Sequence, residues 1–348
     1  MPMNTPTAVP QRMRASVLME AQRLELQERP VPRPAPDEVL VKISAVGVCG
    51  SDVHFFAEGG LGDWKVTEPL VLGHESGGTI VAVGAQVDAS RIGQRVSIEP
   101  QHPGATSPET LGGAYNLDPQ MRFYAVPGTD GAFAEYTTIQ SHFAHPVPDG
   151  LSDEAAALLE PLSVAVATAR KAGFTVGSRV LITGSGPIGI VTAQVARAYG
   201  AAEIIVTDLD RRRREQALRF GATRVIDPAQ ETIGELGLAV DAYVDASGAA
   251  RAVQSGIREV RAGGRVVLVG MGAPEIALPI PVIQNRELTV TGVFRYANTW
   301  PTAIELVRSG KVDLDSMVTG HFALAEVEQA LRSTSDPATL KSVVHPGR

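Results

Sequence analysis

A single cysteine, Cys49, occurs in a chain of 348 residues. One thiol excludes an intramolecular disulfide and any zinc site assembled from several thiolates. Long apolar runs are missing as well, and no stretch approaches the length of about 18 residues that a membrane-spanning helix needs. The opening residues MPMNTPTAVPQRMRA lack the apolar core of a secretory signal. A cytoplasmic protein is expected, with roughly the first dozen residues as a mobile tail. Positive charge is not in excess either: 31 Lys and Arg stand against 38 Asp and Glu, a net charge of −7. That balance argues against nucleic acid and anionic membranes as partners and points to a small molecule. No internal repeat or low-complexity segment stands out.

What is present is ordinary for a soluble enzyme, 44% apolar and 20% charged residues. At about 150 residues per domain, the length suggests two domains. From about Val39 to Val147 short apolar runs such as EVLVKISAVG, GGTIVAVG and AFAEYTTI alternate with Gly and Pro. This reads as a β-rich barrel without a helix of ordinary length. After Ser152, a helix cap, the stretch SDEAAALLEPLSVAVATARKAG reads as helical and interrupted at Pro161. Strands and helices then alternate, through RVLIT, EIIVTD, AVDAYVDAS and GRVVLVG, which predicts a doubly wound parallel sheet. The expected class is α/β, a β-rich part followed by the doubly wound sheet.

Gly184, Gly186 and Gly189 form a G-x-G-x-x-G turn between the strand VLIT and a helix, and Asp208 closes the next strand. The glycines suit a tight turn, close approach of backbone N–H groups to a pyrophosphate, and close helix–strand packing. Asp208, about twenty residues further on, is placed to accept hydrogen bonds from the adenosine ribose, which favours NAD. The run Arg211 to Arg214 reads chiefly as a solvated helix face, with one member able to reach the adenine side or a 2′-phosphate.

Hydride transfer from a secondary alcohol requires its hydroxyl to ionise, and a Lewis acid such as zinc makes that feasible at neutral pH. A lone Cys49 is ordinarily a small buried hydrophobe, yet it can also be one ligand of a mixed site. Candidate partners are His74 and Glu75 in VLGHESGG and Glu160 in LLEPLSV. The other histidines (His54, His102, His142, His145, His321 and His345) lie in less distinctive contexts.

Taken together, VGVCGSDVH, PLVLGHESGGTIVAVG, YNLDP, EPLSVA, GSGPIGI, VTDLDRRR and GVFRYANTWP resemble the zinc-dependent medium-chain alcohol dehydrogenases, in their sorbitol (polyol) dehydrogenase branch. The resemblance spans nearly the whole chain after the tail. It implies a GroES-like catalytic domain over residues 1–161, a Rossmann coenzyme domain over 162–294 with residues 295–348 returning to the catalytic domain, NAD, one catalytic zinc per subunit and a homotetramer. It also implies oxidation of a sorbitol- or xylitol-like polyol to a ketose. Cys49, His74 and Glu75 would match metal ligands, with Glu160 either ligating or holding the metal-bound water, and Ser51 and His54 would match the proton relay. Ile188, Asp208, Arg213, Val269, Gly270, Met271, Val293, Phe294 and Arg295 would line the dinucleotide. Trp64, Phe123, Arg295 and Tyr296 would shape the substrate pocket. The segment from Gln101 to Asp130 lacks the four cysteines that hold a structural zinc in many relatives, so no structural zinc is expected. Phe55 stands where the branch commonly has a substrate-contacting tyrosine. The segment from Ile276 to Ile283 is the expected pairing edge across a dimer. Alternatives are the same chemistry on a cyclitol, simple alcohol or amino alcohol, and a non-catalytic nucleotide-binding relative.

Overall fold

A computed structural model describes residues 9–348. The expected tail therefore lies largely outside the described residues, and the first strand begins at Arg12. Two compact units divide the chain: Met1–Glu160 with Leu314–Arg348, and Pro161–Asp313. Residues 295–313 thus group with the second unit, and the returning segment begins at Leu314.

The first unit is built on a seven-stranded sheet. Its centre is the strand Glu38–Gly47, buried at residues 39–41 and 45–47 with Lys42 exposed between them. That strand pairs antiparallel with Glu75–Val83 on one side, Gly47 standing opposite Glu75. Tyr136–Gln140 and the C-terminal strand Lys341–His345 also pair with it, Val343 opposite Gly47. Val318–Ala323 adds a parallel edge beside Lys341–His345. The apolar residues Val41, Ile43, Ile80, Ile98 and Phe133 form the centre of the unit's core, each at most 2% exposed.

Besides the single turn Pro108–Leu111, a nine-residue helix interrupts this β-rich region, where no helix of ordinary length was expected. Gly50–Glu58 starts at Cys49, whose extended backbone (φ −100°, ψ 156°) serves as N-cap. It ends at Gly59 with φ 67°, a left-handed conformation that glycine adopts without strain. Nine residues with Asp52, Phe55 and Phe56 buried make it a helix through tertiary packing, because its periodic signal is too short to read in isolation.

Ser152 does cap the next helix, its hydroxyl accepting from the Ala155 N–H at 2.8 Å. The helix is not interrupted, however: Asp153–Ala172 runs through Pro161. Proline there removes one backbone bond, but residues 155–163 are all buried, and that packing holds the chain helical.

The second unit contains the expected parallel sheet of six strands. Counted along the chain from Arg179–Thr183, their spatial order is 3-2-1-4-5-6, the doubly wound arrangement with a switch point between Arg179–Thr183 and Val240–Asp245. In register, Ile226, Thr207, Thr183, Asp245, Leu268 and Gly292 form the last row of the sheet. The segment Ile276–Ile283 forms no strand: Ile280–Asn285 is a short helix, and Ile276, Leu278, Val282 and Ile283 pack on the unit's own apolar cluster.

Helix Pro187–Ala198 follows the glycine turn and lies tight against it. A Cβ on Gly189 would stand 1.9 Å from the Gly184 carbonyl oxygen. Gly189→Ala is therefore expected to lower the stability of the cofactor-free protein by about 1–3 kcal/mol, the usual cost of overpacking. Denaturant unfolding checks this, and an unchanged midpoint would show that the turn yields without cost.

Candidate active site

Three strand ends of the first unit meet at one point. Gly47 leads through Val48 to Cys49, Glu75 begins the neighbouring strand with His74 just before it, and Lys341 begins the C-terminal strand. The ligand atoms of Cys49, His74 and Glu75 all lie within 4.8 Å of one another. His74 and Glu75 are 6% and 1% exposed. The sequence candidates far apart in the chain are thus brought together. Glu160, 5% exposed, is buried in the same unit but is not part of that three-residue group.

Several residues that sequence reasoning did not single out hold this arrangement. Asp52 is fully buried. Its carboxylate accepts from the Cys49 N–H at 3.0 Å and the Gly73 N–H at 2.9 Å, and lies 3.6 Å from His74 Nδ1. A carboxylate on Nδ1 orients the ring and leaves Nε2 for a metal. Lys341, 3% exposed, donates from Nζ to Glu75 Oε1 at 2.6 Å and to the Val48 carbonyl at 2.7 Å. Glu75 Oε2 is left buried with no hydrogen-bond partner. Gly47 makes room for that oxygen, since a Cβ there would lie 2.1 Å from it.

The electrostatics favour a cation. Burial opposes the charge on Lys341, yet Glu75, Cys49 and Glu160 raise its pKa above the usual lysine range. Burial also opposes the charge on His74, and Asp52 and Cys49 outweigh it to push the pKa well above the usual value. Burial acts against the Asp52 carboxylate, but His74 and the two backbone donors bring its pKa below the ordinary range. A thiol, an imidazole and a carboxylate oxygen without a partner, in a pocket that stabilises positive charge, fit zinc as a donor set.

Around this group, Phe123 is 7% exposed and its ring centroid stands 5.5 Å from that of His74. Ser51 and His54 occupy one face of the Cys49 helix, three residues apart. His54 Nδ1 lies 3.0 Å from Glu58 Oε1 toward solvent. Trp64 is 41% exposed, and Phe55 is turned into the apolar core at 2%.

In the second unit, the positions expected to line a dinucleotide follow the last row of the sheet. Gly184 adopts φ 90°. Gly186 caps the helix in which Ile188 is half-buried. Asp208 Oδ2 accepts from the Ser185 N–H at 2.9 Å and the Ser185 hydroxyl at 3.0 Å, tying the glycine turn to the next strand. The N–H groups of Val269 and Gly270 both donate to the Asp245 carbonyl at 2.9 Å, and Val293 N–H donates to Leu268 at 2.9 Å. Met271 and Phe294 are exposed, and the Arg295 guanidinium lies 4.6 Å over the Phe294 ring. Tyr296 is only 1% exposed, its ring edge-on to Trp300 at 5.1 Å, so its position is that of a core residue.

The arginine run resolves into separate roles. Arg211 pairs with Glu215, and Arg214 binds the Asp208 and Leu209 carbonyls and Asp227. The Arg213 guanidinium reaches to 3.7 Å of the position a Cβ on Gly186 would take. It is the member of the run that the structure places at the glycine turn.

Gly47→Ala is expected to displace Glu75 and reduce zinc affinity by about 10–100-fold, the range for disturbed support of a ligand. Competition with a chromophoric chelator measures this. Unchanged affinity would mean that Glu75 does not ligate.

The comparisons with known proteins agree with this geometry. The family described as "Alcohol dehydrogenase GroES-like domain" matches residues 35–149, and "Zinc-binding dehydrogenase" matches residues 187–309. Sorbitol dehydrogenase of Gallus gallus is 40% identical over 328 residues, 92% of each chain. That of Bacillus subtilis (strain 168) is 39% identical over 349 residues, 98% of this chain and 99% of its own. Among solved structures, an Escherichia coli oxidoreductase/dehydrogenase of unknown specificity aligns with TM-score 0.91 at 33% identity, covering 96% of this chain and 99% of that one. The glycine turn at the switch point, the Cys49–His74–Glu75 group and these similarities over nearly the full length establish that the chain belongs to the zinc-dependent medium-chain alcohol dehydrogenases, in their polyol branch.

Proposed function

We propose that this protein oxidises a secondary hydroxyl of a sugar alcohol, sorbitol- or xylitol-like, to the ketone, with NAD as hydride acceptor. The observation that carries the reading is the Cys49–His74–Glu75 group in a chain about 40% identical to sorbitol dehydrogenases. The first unit acts as the catalytic domain and the second as the coenzyme domain. A bound zinc supplies the Lewis acidity that brings ionisation of a secondary alcohol within reach of neutral pH.

Cys49, His74 and Glu75 would hold the ion. Glu75 offers Oε2, because Lys341 occupies Oε1. Glu160, outside that group, serves as a hydrogen-bond acceptor beside it and not as a ligand. The substrate C–H leaves as hydride, and the hydroxyl proton leaves through Ser51 and His54. The half-exposed His54 ring, bonded to Glu58, suits the solvent end of that relay. Phe123 and Trp64 form pocket walls. Arg295, with five donors in a fixed fork, orients the polyhydroxyl chain. Tyr296 supports that stretch from within the core.

No helix among the described residues is long and apolar enough to cross a membrane. A cytoplasmic homotetramer is the assembly that the family resemblance supports, and light scattering tests it.

The deciding experiment assays C4 to C6 polyols with NAD and NADP and measures zinc. Cys49→Ser is expected to lose the catalytic zinc and turnover while remaining folded, because a hydroxyl replaces thiolate poorly. Full activity in the metal-free protein, or turnover of simple alcohols alone, would overturn the assignment.

Cofactor choice rests on Asp208. Its carboxylate suits the ribose hydroxyls of NAD, and a 2′-phosphate about 4 Å away would be repelled by about 4 kcal/mol at an effective dielectric near 20, before solvent screening. Arg211 and Arg214 are engaged elsewhere, and Arg213 is the member of the run that reaches the glycine turn, to 3.7 Å of a Cβ position on Gly186. Asp208→Ser is expected to narrow the preference for NAD by ten-fold or more in kcat/KM. A parent enzyme that already favours NADP would refute this reading.

A further inference from the structure

A second group of metal-binding side chains lies in the first unit, formed by Glu154, His321 and His345. Their facing atoms make a nearly equilateral triangle. His321 Nδ1 stands 3.4 Å from His345 Nε2, His321 Nδ1 stands 3.5 Å from Glu154 Oε1, and His345 Nε2 stands 3.4 Å from the same oxygen. Charge-assisted hydrogen bonds between such groups are shorter, about 2.7–2.9 Å. Ligands about 2.1 Å from a tetrahedral zinc stand about 3.4 Å from one another, so all three edges suit a shared ion better than shared protons.

The surroundings support ligation. His345 Nδ1 lies 3.3 Å from the Ser44 carbonyl oxygen, so its N–H points there and Nε2 keeps its lone pair toward the triangle. His345 is 7% exposed, while the His321 side chain is 49% exposed, which leaves a path for the ion and an open position for solvent. The two histidines come from neighbouring parallel strands, and Glu154 from the first turn of the helix Asp153–Ala172. Arg348, itself exposed, opposes a cation at His345 through space, an effect that solvent screens.

We propose that Glu154, His321 and His345 form a second divalent-cation site, for zinc or a similar borderline ion such as cobalt or nickel, with three protein ligands. Two imidazoles select against magnesium and calcium. The site adds a second ion to the single catalytic zinc that the sequence leads one to expect. It clamps the start of the helix that carries Glu160 to the strand that carries Lys341, without belonging to the Cys49 group.

The test uses the full chain, stripped of metal, in a Cys49→Ser background that removes the thiolate site. Zinc titration with a competing chelator is expected to show one equivalent bound, and His321→Gln or Glu154→Gln added to that background to weaken it at least ten-fold. In the unsubstituted chain, cobalt should bind in two equivalents. One should show the near-ultraviolet charge-transfer band of a thiolate ligand, the other visible absorption without it. His321→Gln alone should remove the second signal and leave polyol turnover at limiting zinc unchanged. Because the Cys49→Ser arm does not depend on turnover, failure of the assigned activity and failure of this site are separable. Absence of zinc binding in the Cys49→Ser protein, or binding that survives both substitutions, overturns the proposal.

Discussion

Lys341 Nζ bonded to Glu75 Oε1, both side chains at most 3% exposed, is the interaction on which the catalytic half rests. Glu75, Cys49 and Glu160 all favour the charge on the lysine against its burial, and burying such groups without compensation would be costly. The ammonium supplies part of that compensation and also a geometric constraint. By occupying Glu75 Oε1 and the Val48 carbonyl, it leaves Glu75 Oε2 as the carboxylate oxygen without a hydrogen-bond partner. Removing one partner of such a buried pair typically costs about 3–5 kcal/mol, so the site and the stability of the sheet end are coupled.

That pairing is possible because three strands end together. Gly47 faces Glu75 in one register and Val343 in the other. The absence of a side chain at Gly47 lets the carboxylate lie across the strand. Asp52 complements it from the helix, accepting two backbone N–H groups and facing His74. In the segment between Gln101 and Asp130, Asp118 gathers hydrogen bonds from the Thr110 hydroxyl at 2.6 Å, the Gln120 N–H at 2.7 Å and the Ser107 hydroxyl. The Ser107 and Thr110 hydroxyls hold its carboxyl down to about 2. A hydrogen-bonded carboxylate thus organises that segment.

The coenzyme half depends on backbone closeness. Gly189 permits the helix to touch the Gly184 carbonyl, and Gly270 packs where a Cβ would lie 2.1 Å from the Gly248 nitrogen. The buried Asp245 side chain accepts from the Ser247 N–H at 3.1 Å and the Gly248 N–H at 3.0 Å, which fixes the turn on the other side of the switch point. The Asp208 carboxylate accepts from the Ser185 N–H and hydroxyl, which ties the glycine turn to the end of the next strand.

Features set by neighbours in the chain were legible in the sequence. The glycine turn, the strand before it and Asp208 after it follow from local backbone requirements and hydrophobic periodicity, as does the alternation that predicts a parallel sheet. The metal-binding type of Cys49, His74 and Glu75 was readable, but the choice of Glu75 over Glu160 for the three-residue group was made by strand register. The helix at Cys49 and the unbroken helix through Pro161 escaped, because burial against distant residues overrode their local signals. Lys341 is 266 residues from Glu75, and His345 and His321 had no distinguishing context of their own. Local preference and periodicity act over a few residues and are written in the sequence. A buried ion pair or a ligand triangle is a matter of ångströms between side chains far apart in the chain, and only the packed tertiary structure sets those distances.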